Sequence, residues 1–199
     1  MASTERHIRA LLRRNGTARS RELVTAGMTR SQLSRLVAAG QLVRLARGLY
    51  AAPGYKSGEH GALVAVAKRA PDVLFCLLTA LRLHDLTTQA PFEVWIAIGN
   101  KAHPPRFDYP PIRAVHFSAA SLIAGVEMHR VDGTPVRVTS VAKTVADCFK
   151  FRNKVGLDVA LEALREARRA KKASADALWR YAKLNRVANV MRPYLEAVA

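Results

Sequence analysis

The sequence of 199 residues predicts an α+β protein, in which an N-terminal winged helix-turn-helix precedes an α+β domain with a small, mostly antiparallel sheet covered by helices. Three observations predict this class. Two short helical patterns are joined by a Gly turn, a basic hairpin follows them, and strand-like segments then alternate with helical patterns. The linker composition of residues 53–58 places the boundary at residue 55, with domains over 1–55 and 56–199.

Start and stop signals define three helices in the first domain. The first runs from Ser3 to Gly16, and Ser20 can cap a short second helix. After a turn at residues 26–28, a third helix is capped by Thr29 and ends at Gly40. The apolar residues of these helices recur at helical spacing and predict the inward faces: Ile8, Leu11, Leu12, Leu23, Val24, Leu33, Leu36 and Val37.

Residues 40–50 predict a short β-hairpin with arginines at and beside its tip, where Gly48 allows the sharp turn. A helix pair followed by a basic hairpin is the element order of a winged helix-turn-helix. Such a domain places the second helix of the pair in the major groove of DNA, with its N-terminal part nearest the bases.

The polar side chains of this segment suit DNA, because arginine can bond bidentately to guanine and glutamine to adenine. Serine and threonine can bond to phosphates or base edges. The expected groove contacts are Thr29, Arg30, Ser31, Gln32, Ser34 and Arg35, with Arg44 and Arg47 in the wing. The expected phosphate contacts are Arg13, Arg14, Arg19 and Arg21.

Charge supports this interpretation. The chain carries a formal net charge of +17, and residues 1–55 hold ten basic and two acidic side chains. Any one of these arginines is equally compatible with a solvated helix face. The set, in this order of elements, favours a nucleic-acid partner.

The two cysteines, Cys76 and Cys148, lie in apolar stretches and are most simply buried hydrophobic residues in a reducing compartment. A disulfide between them stays open as an alternative. The N-terminus is polar, and no apolar run approaches the ~20 residues that a membrane helix needs. We therefore expect a cytoplasmic, nucleoid-associated protein that binds no membrane.

The second domain contains segments with the apolar periodicity of strands and segments with that of helices. Asp132-Gly133 is a strong hairpin signal, and Ser140 and Ser174 can each cap a helix. The predicted strands are 92–98, 112–117, 126–131 and 136–139, and residues 73–76 form a short apolar run. The predicted helices are 59–69, 77–86, 140–151, 157–172, one beginning at 174, and an amphipathic segment over 187–198.

Candidate catalytic or metal-binding residues are sparse, so we expect no enzyme, metal or cofactor. None of the six histidines forms an i, i+4 pair, and there is no Cys-x-x-Cys motif. His84 and Asp85 are adjacent, and adjacent residues on a helix do not face each other. Asp147, among apolar neighbours, is expected to be a partly buried acid paired with an arginine or a backbone amide.

Two further basic features lie in the second domain. One is the loop over residues 100–106. The other is a set of four residues expected to share one helix face: Arg165, Arg168, Arg169 and Lys172. A solvated face at a helix C-terminus, where cations are favoured, accounts for the second feature. A second nucleic-acid surface or a docking face for an acidic toxin accounts for it equally.

Four segments in this order carry a family resemblance: the wing over 40–53, Thr79–Thr87, Val138–Asp147 and Gly156–Leu164. Together they resemble the AbiEi-type antitoxins of abortive-infection, type IV toxin–antitoxin systems, which act in phage defence. The resemblance implies a winged helix-turn-helix that represses its own operon. It also implies a C-terminal domain that counters a nucleotidyltransferase-like toxin, directly or indirectly.

The sequence is thus interpreted as an antitoxin and transcriptional autorepressor whose partners are double-stranded operator DNA and a cognate toxin, with a homodimer on the DNA left open. A standalone repressor, whose second domain dimerises or senses a ligand, is the first alternative. A nuclease that uses Asp147 is the second.

Overall fold

The computed structural model describes residues 12, 17–46, 48–54, 60–89, 91–107 and 109–198. Contacts divide the chain into two compact units. The N-terminal unit comprises Met1–Pro71, Phe107–Pro110 and Arg130–Pro135, and the second unit comprises Asp72–Arg106, Pro111–His129 and Val136–Ala199. The predicted boundary at residue 55 stays a prediction, and these contacts group residues 56–71 with the N-terminal unit.

The N-terminal unit contains a small sheet and three helices among its described residues. Strand β1 (Thr17–Arg19) leads into α1 (Ser20–Thr25), α2 (Arg30–Ala38), β2 (Val43–Ala46), β3 (Leu49–Ala51) and α3 (Gly61–Arg69). The strands lie in the order β1-β3-β2, and both pairs are antiparallel. A cluster of buried residues joins the helices to this sheet: Leu12, Ala18, Leu23, Met28, Leu33 and Leu42.

Apart from residues 130–135, a five-stranded sheet in the order β6-β5-β4-β8-β7 belongs to the second unit. Its strands are β4 (Leu74–Phe75), β5 (Val94–Gly99), β6 (Ile112–Phe117), β7 (Val126–Val131) and β8 (Thr134–Thr139). The β4–β5 pair is antiparallel, whereas β4–β8 and β5–β6 are parallel. The turn between β7 and β8 is the predicted Asp132-Gly133, and both residues have positive φ, as this type of hairpin turn requires.

Seven helices belong to this unit in the described part of the chain: α4 (Leu77–Leu83), α5 (Ala119–Ile123), α6 (Val141–Lys150), α7 (Arg152–Val155), α8 (Leu157–Arg169), α9 (Ala175–Leu184) and α10 (Ala188–Ala197). Helix α6 lies at the centre, because eight consecutive residues over 142–149 are buried. Ser140 and Ser174 cap α6 and α9, as predicted.

The α+β class is confirmed, and the described strands and helices follow the predicted segments closely. The two parallel strand pairs and the short helix α5 are features that the sequence pattern did not predict. Cys76 and Cys148 are buried free thiols, and burial raises the pKa of both. Within the described residues, no helix is both long and apolar enough to cross a membrane.

Candidate nucleic-acid interface

The turn between α1 and α2 is fixed by backbone hydrogen bonds. The amides of Gly27 and Met28 donate to the carbonyls of Val24 and Leu23, at 2.9 and 3.0 Å. Gly27 has φ 96°, a conformation that costs glycine little. The side chains of Leu23, Met28 and Leu33 are buried below the turn, so α1 and α2 are held as a helix-turn-helix pair.

Helix α2 begins with a reciprocal capping box. The amide of Gln32 donates to Thr29 Oγ1 at 3.2 Å, and the amide of Thr29 donates to Gln32 Oε1 at 2.7 Å. Each side chain therefore satisfies an amide that the helix itself leaves without a partner. Sequence reasoning assigned both residues to base contacts, although a Thr followed three residues later by Gln is the signal of a capping box.

The outward face of α2 consists of Arg30, Ser31, Ser34 and Arg35, all of which are exposed. Helical spacing puts Ser31 and Arg35 on the side opposite buried Leu33, with Arg30 and Ser34 next to them. Ser34 Oγ donates to the carbonyl of Arg30 at 3.2 Å, a bond within the helix. The two arginines flank this face, and the fold leaves it uncovered by the other described residues of its unit.

The wing is the β2–β3 hairpin. Arg44 is exposed and lies opposite Tyr50, and the register shifts between Arg44 and Ala46. Gly48 has φ +76°, and its carbonyl accepts from the amide of Ser20 at 2.9 Å. That bond ties the wing to the start of α1. Arg47 lies outside the described residues.

The expected phosphate contacts fall into two groups. Arg13 and Arg14 lie outside the described residues, and Arg21 is exposed on α1. Arg19 is only partly exposed, and its amide donates to Glu22 Oε2 at 2.6 Å. Burial, together with the nearby charges of Arg21 and Arg69, lowers the pKa of Arg19.

Arg69 was missed by sequence reasoning, since it lies well beyond the hairpin. It lines a cavity of about 20 Å³ with Arg19, Gly48 and Tyr109. Its guanidinium lies 4.6 Å from the centre of the Phe107 ring, and its buried Nη1 makes no hydrogen bond with any residue that the structure describes. Two guanidinium groups therefore line the cavity beside the hairpin turn at Gly48.

The N-terminal part of the chain is similar in sequence to a known protein family. Residues 6–53 match the family described as "Transcriptional regulator, AbiEi antitoxin". The N-terminal segment is thus similar to AbiEi-type regulators. The structure is also similar to the crystal structure of the RV2827C protein from Mycobacterium tuberculosis, with a TM-score of 0.61 and 15% identity over 91% of this chain and 71% of that chain. At that identity the likeness shows the fold alone. The comparison with curated proteins found no match.

Outside the AbiEi-type domain, the predicted basic face of the second unit has a different geometry. Helix α8 ends at Arg169, so Lys172 lies beyond it and not on the expected helix face. Lys172 Nζ donates to the carbonyl of His84 at 2.5 Å. The helix ends early because residue Lys171 takes a positive φ of 55° and turns the chain back.

The other three residues of the predicted face differ in their exposure and in their partners. Arg169 makes two bonds to the Glu166 carboxylate, at 2.8 and 2.9 Å, and this interaction lowers the pKa of Glu166. Arg168 is partly buried and donates to the carbonyl of Ala173 at 3.4 Å. Arg165 is exposed. The structure therefore does not assemble the four residues into one uncovered basic face.

Asp147 is fully buried, whereas a partly buried acid was expected. Its partners are the Lys143 ammonium and Asn185 Nδ2, the latter at 2.7 Å, and not an arginine or a backbone amide. Burial raises the pKa of Asp147, and the charge of Lys143 opposes that shift. Lys143 Nζ also lies 4.5 Å from the centre of the Phe117 ring. These contacts are those of a structural ion pair inside the core.

The side chains of His84 and Asp85 lie in different environments, as expected for adjacent residues that do not face each other. Its ring is buried, and Nε2 donates to the carbonyl of Thr139 at 2.7 Å, while Asp85 is exposed. In the parts of the chain that the structure describes, no group of three His, Cys, Asp or Glu residues could hold a metal ion.

Proposed function

We propose that the protein is an antitoxin and transcriptional autorepressor, in which the AbiEi-type domain binds operator DNA. The observation that carries the DNA-binding half is the uncovered face of α2, where Arg30, Ser31, Ser34 and Arg35 follow a capped helix start. A rigid helix with an exposed polar N-terminal part is what a major groove accepts.

Within this proposal the arginines have separate tasks. Arg30 and Arg35 read base edges, because a guanidinium can bond bidentately to guanine. Arg21 and Arg44, together with Arg13, Arg14 and Arg47, contact phosphates and fix the register on the duplex. Thr29 and Gln32 support α2 through the capping box, and Ser31 and Ser34 lie close enough to the arginines to add contacts.

Band shifts on the chain's own upstream DNA test this half of the proposal. We expect Arg30→Ala and Arg35→Ala each to weaken specific binding by about 1–3 kcal/mol and to relax sequence preference. Lys101→Ala, an exposed cation in a loop of the second unit, is the matched control and should bind as the natural protein does. Affinity should fall steeply between two salt concentrations, because several phosphates are neutralised together. Binding that ignores both salt and the α2 arginines would refute the proposal.

The antitoxin half of the proposal rests on the resemblance and on the AbiEi antitoxin description of residues 6–53. The second unit would counter a nucleotidyltransferase-like toxin, with Arg165 as an exposed cation of α8. Growth of cells that express the toxin with the full chain, or with the Arg30→Ala/Arg35→Ala variant, separates the two halves. Protection by that variant supports a neutralising second unit, and loss of protection indicates that repression is the whole function.

A further inference from the structure

A groove in the second unit has the composition of a binding site. Its volume is about 740 Å³, and its lining includes Trp179, Tyr181, Arg180, Lys183 and Asp176, all from α9. The volume is within the range of sites that bind nucleotides and other small ligands. Neither the DNA-binding face nor the α8 cations contribute to this groove.

Aromatic rings in the groove are paired with cations. Lys183 Nζ lies 5.7 Å and the Arg192 guanidinium carbon 5.6 Å from the centre of the Trp179 ring. The Arg180 guanidinium carbon lies 5.0 Å from the Tyr181 ring. These cations are on exposed, flexible side chains, so a planar ligand can replace them on the rings while keeping their charge nearby.

The charge around the groove is mainly positive, with Asp176 as a carboxylate in the lining. Residues 177–195 contain four basic side chains, Arg180, Lys183, Arg186 and Arg192, and no acidic one. All four are exposed. This local excess, beside two aromatic rings, complements a polyanion that carries planar groups.

The wall opposite α9 is backbone. Gly125 lines the groove with φ +62°, and a Cβ at this position would lie 2.7 Å from Tyr181 Oη and 3.0 Å from Lys143 Cβ. Only glycine allows the chain to approach Tyr181 this closely. Tyr181 packs against the core of the second unit, and Gly125 lies against the tyrosine where a side chain would not fit.

We infer that this groove binds single-stranded RNA. An unpaired base stacks on Trp179, and phosphates on either side of it meet Arg180, Lys183 and Arg192. Duplex DNA is disfavoured because its bases are stacked on each other and present no free face to an indole ring. Asp176, the one carboxylate in the lining, repels phosphates but accepts a hydrogen bond from a ribose 2′-hydroxyl, which selects RNA over DNA.

The test uses the full chain and a fluorescently labelled, mixed-sequence RNA of about twelve nucleotides, a length within the usual site sizes of single-strand binders. Anisotropy titrations at low salt should show binding that Trp179→Ala weakens by about tenfold or more, while Trp179→Phe keeps most of the affinity. Lys183→Ala/Arg192→Ala should reduce the salt dependence. Lys154→Ala, an exposed lysine 5.8 Å from the Phe151 ring, is the matched control and should have no effect.

A second readout comes from the protein itself. The chain has two tryptophans, and Trp95 is only 4% exposed. In a Trp95→Phe variant, fluorescence reports Trp179 alone and should be quenched by the RNA. If that variant does not fold, the anisotropy series in the natural background still decides the question. Circular dichroism checks the fold of each variant.

Three competitors assign the ligand. Unlabelled single-stranded DNA of the same sequence should displace the labelled RNA less well than unlabelled RNA does. In the Asp176→Ala variant, the difference in affinity between the DNA and RNA competitors should be smaller. Equal competition by DNA, unchanged by Asp176→Ala, would overturn the assignment to RNA. Equal competition by duplex DNA or by a mononucleotide would overturn the single-stranded occupant. RNA binding unaffected by Trp179→Ala would overturn the site.

Discussion

The imidazole of His84 donates from Nε2 to the backbone carbonyl of Thr139 at 2.7 Å, in a buried position. Thr139 Oγ1 lies 2.7 Å from Thr144 Oγ1, at the start of helix α6. The His84–Thr139 bond joins two of the segments that carry the family resemblance, Thr79–Thr87 and Val138–Asp147, although they are far apart in the sequence. The histidine is therefore a structural link between α4 and the β8–α6 connection.

The first prediction concerns the pH dependence of this link. Burial lowers the pKa of His84 below its ordinary value of 6.5, and the charges of His129 and Lys172 add to this effect, whereas the hydrogen bond to Thr139 and the charge of Glu127 oppose it. Below about pH 6.5 the unfolded chain therefore binds the proton before the folded chain does, and the stability that is complete above this pH is lost as the pH falls. His84→Gln keeps a donor without titrating. Its free energy of unfolding should fall less between about pH 7 and pH 5 than that of the natural protein. The free energy of unfolding is measured by denaturant titration at each pH. An equal change with pH in the variant and the natural protein would contradict this role of His84.

The second prediction concerns the buried pair Lys143–Asp147. Asp147→Ala leaves a buried lysine without its carboxylate and should cost about 3–5 kcal/mol of unfolding free energy. The double variant Lys143→Met/Asp147→Leu removes both charges and should be more stable than Asp147→Ala, even though Asn185 loses its acceptor. Urea titration of both variants measures the difference. If the double variant is the less stable of the two, the pair is not coupled as its geometry indicates. A nuclease role for Asp147 would instead appear as lost cleavage with unchanged stability.

The third prediction separates capping from DNA reading on α2. Thr29→Ala removes one half of the capping box and should lower the stability of the N-terminal unit by about 1 kcal/mol. Thr29→Ser keeps the oxygen and should restore most of that loss. Arg30→Ala, by contrast, should change stability by no more than about 0.5 kcal/mol while weakening DNA binding. Hydrogen exchange of the α2 amides and band shifts, measured on the same variants, distinguish the two effects. Thr29→Ala protein that keeps its stability but loses base preference would show that the threonine reads DNA.

The fourth prediction concerns the cations near the end of α8. Arg165→Glu changes an exposed charge and should leave the fold intact, so any loss of protection against the toxin reports a contact surface. Lys172→Met should instead raise the local mobility of residues 84–85, whose carbonyls Lys172 contacts. Arg169→Ala, which removes an exposed pairing with Glu166, is the control. Growth assays with the toxin, combined with hydrogen exchange, decide between these roles. Full protection by Arg165→Glu would identify α8 as a solvated surface.

Local sequence signals were sufficient to predict most helices and strands and the helix-turn-helix. The caps at Thr29, Ser140 and Ser174 and the turn at Asp132-Gly133 depend on side chains and backbone angles within four residues, so the sequence alone predicts them. The exposed face of α2 follows in the same way from helical spacing. The role of Gln32 is not fixed in this way, because one side chain can serve either a cap or a base: the structure shows the cap, and the base contact stays a prediction.

What the sequence by itself determined is therefore the order of elements, the inward and outward faces of the helices and the similarity of the N-terminal segment to AbiEi-type regulators. The tertiary structure decided which distant residues meet: the parallel pairing of β4 with β8, the contact of Lys172 with His84, and the enclosure of Lys143 and Asp147 with Asn185. The physical reason is the distance along the chain between the residues that interact. Caps and turns are stabilised by neighbours along the chain, whereas strand order and buried ion pairs depend on contacts that form only when the whole core is assembled.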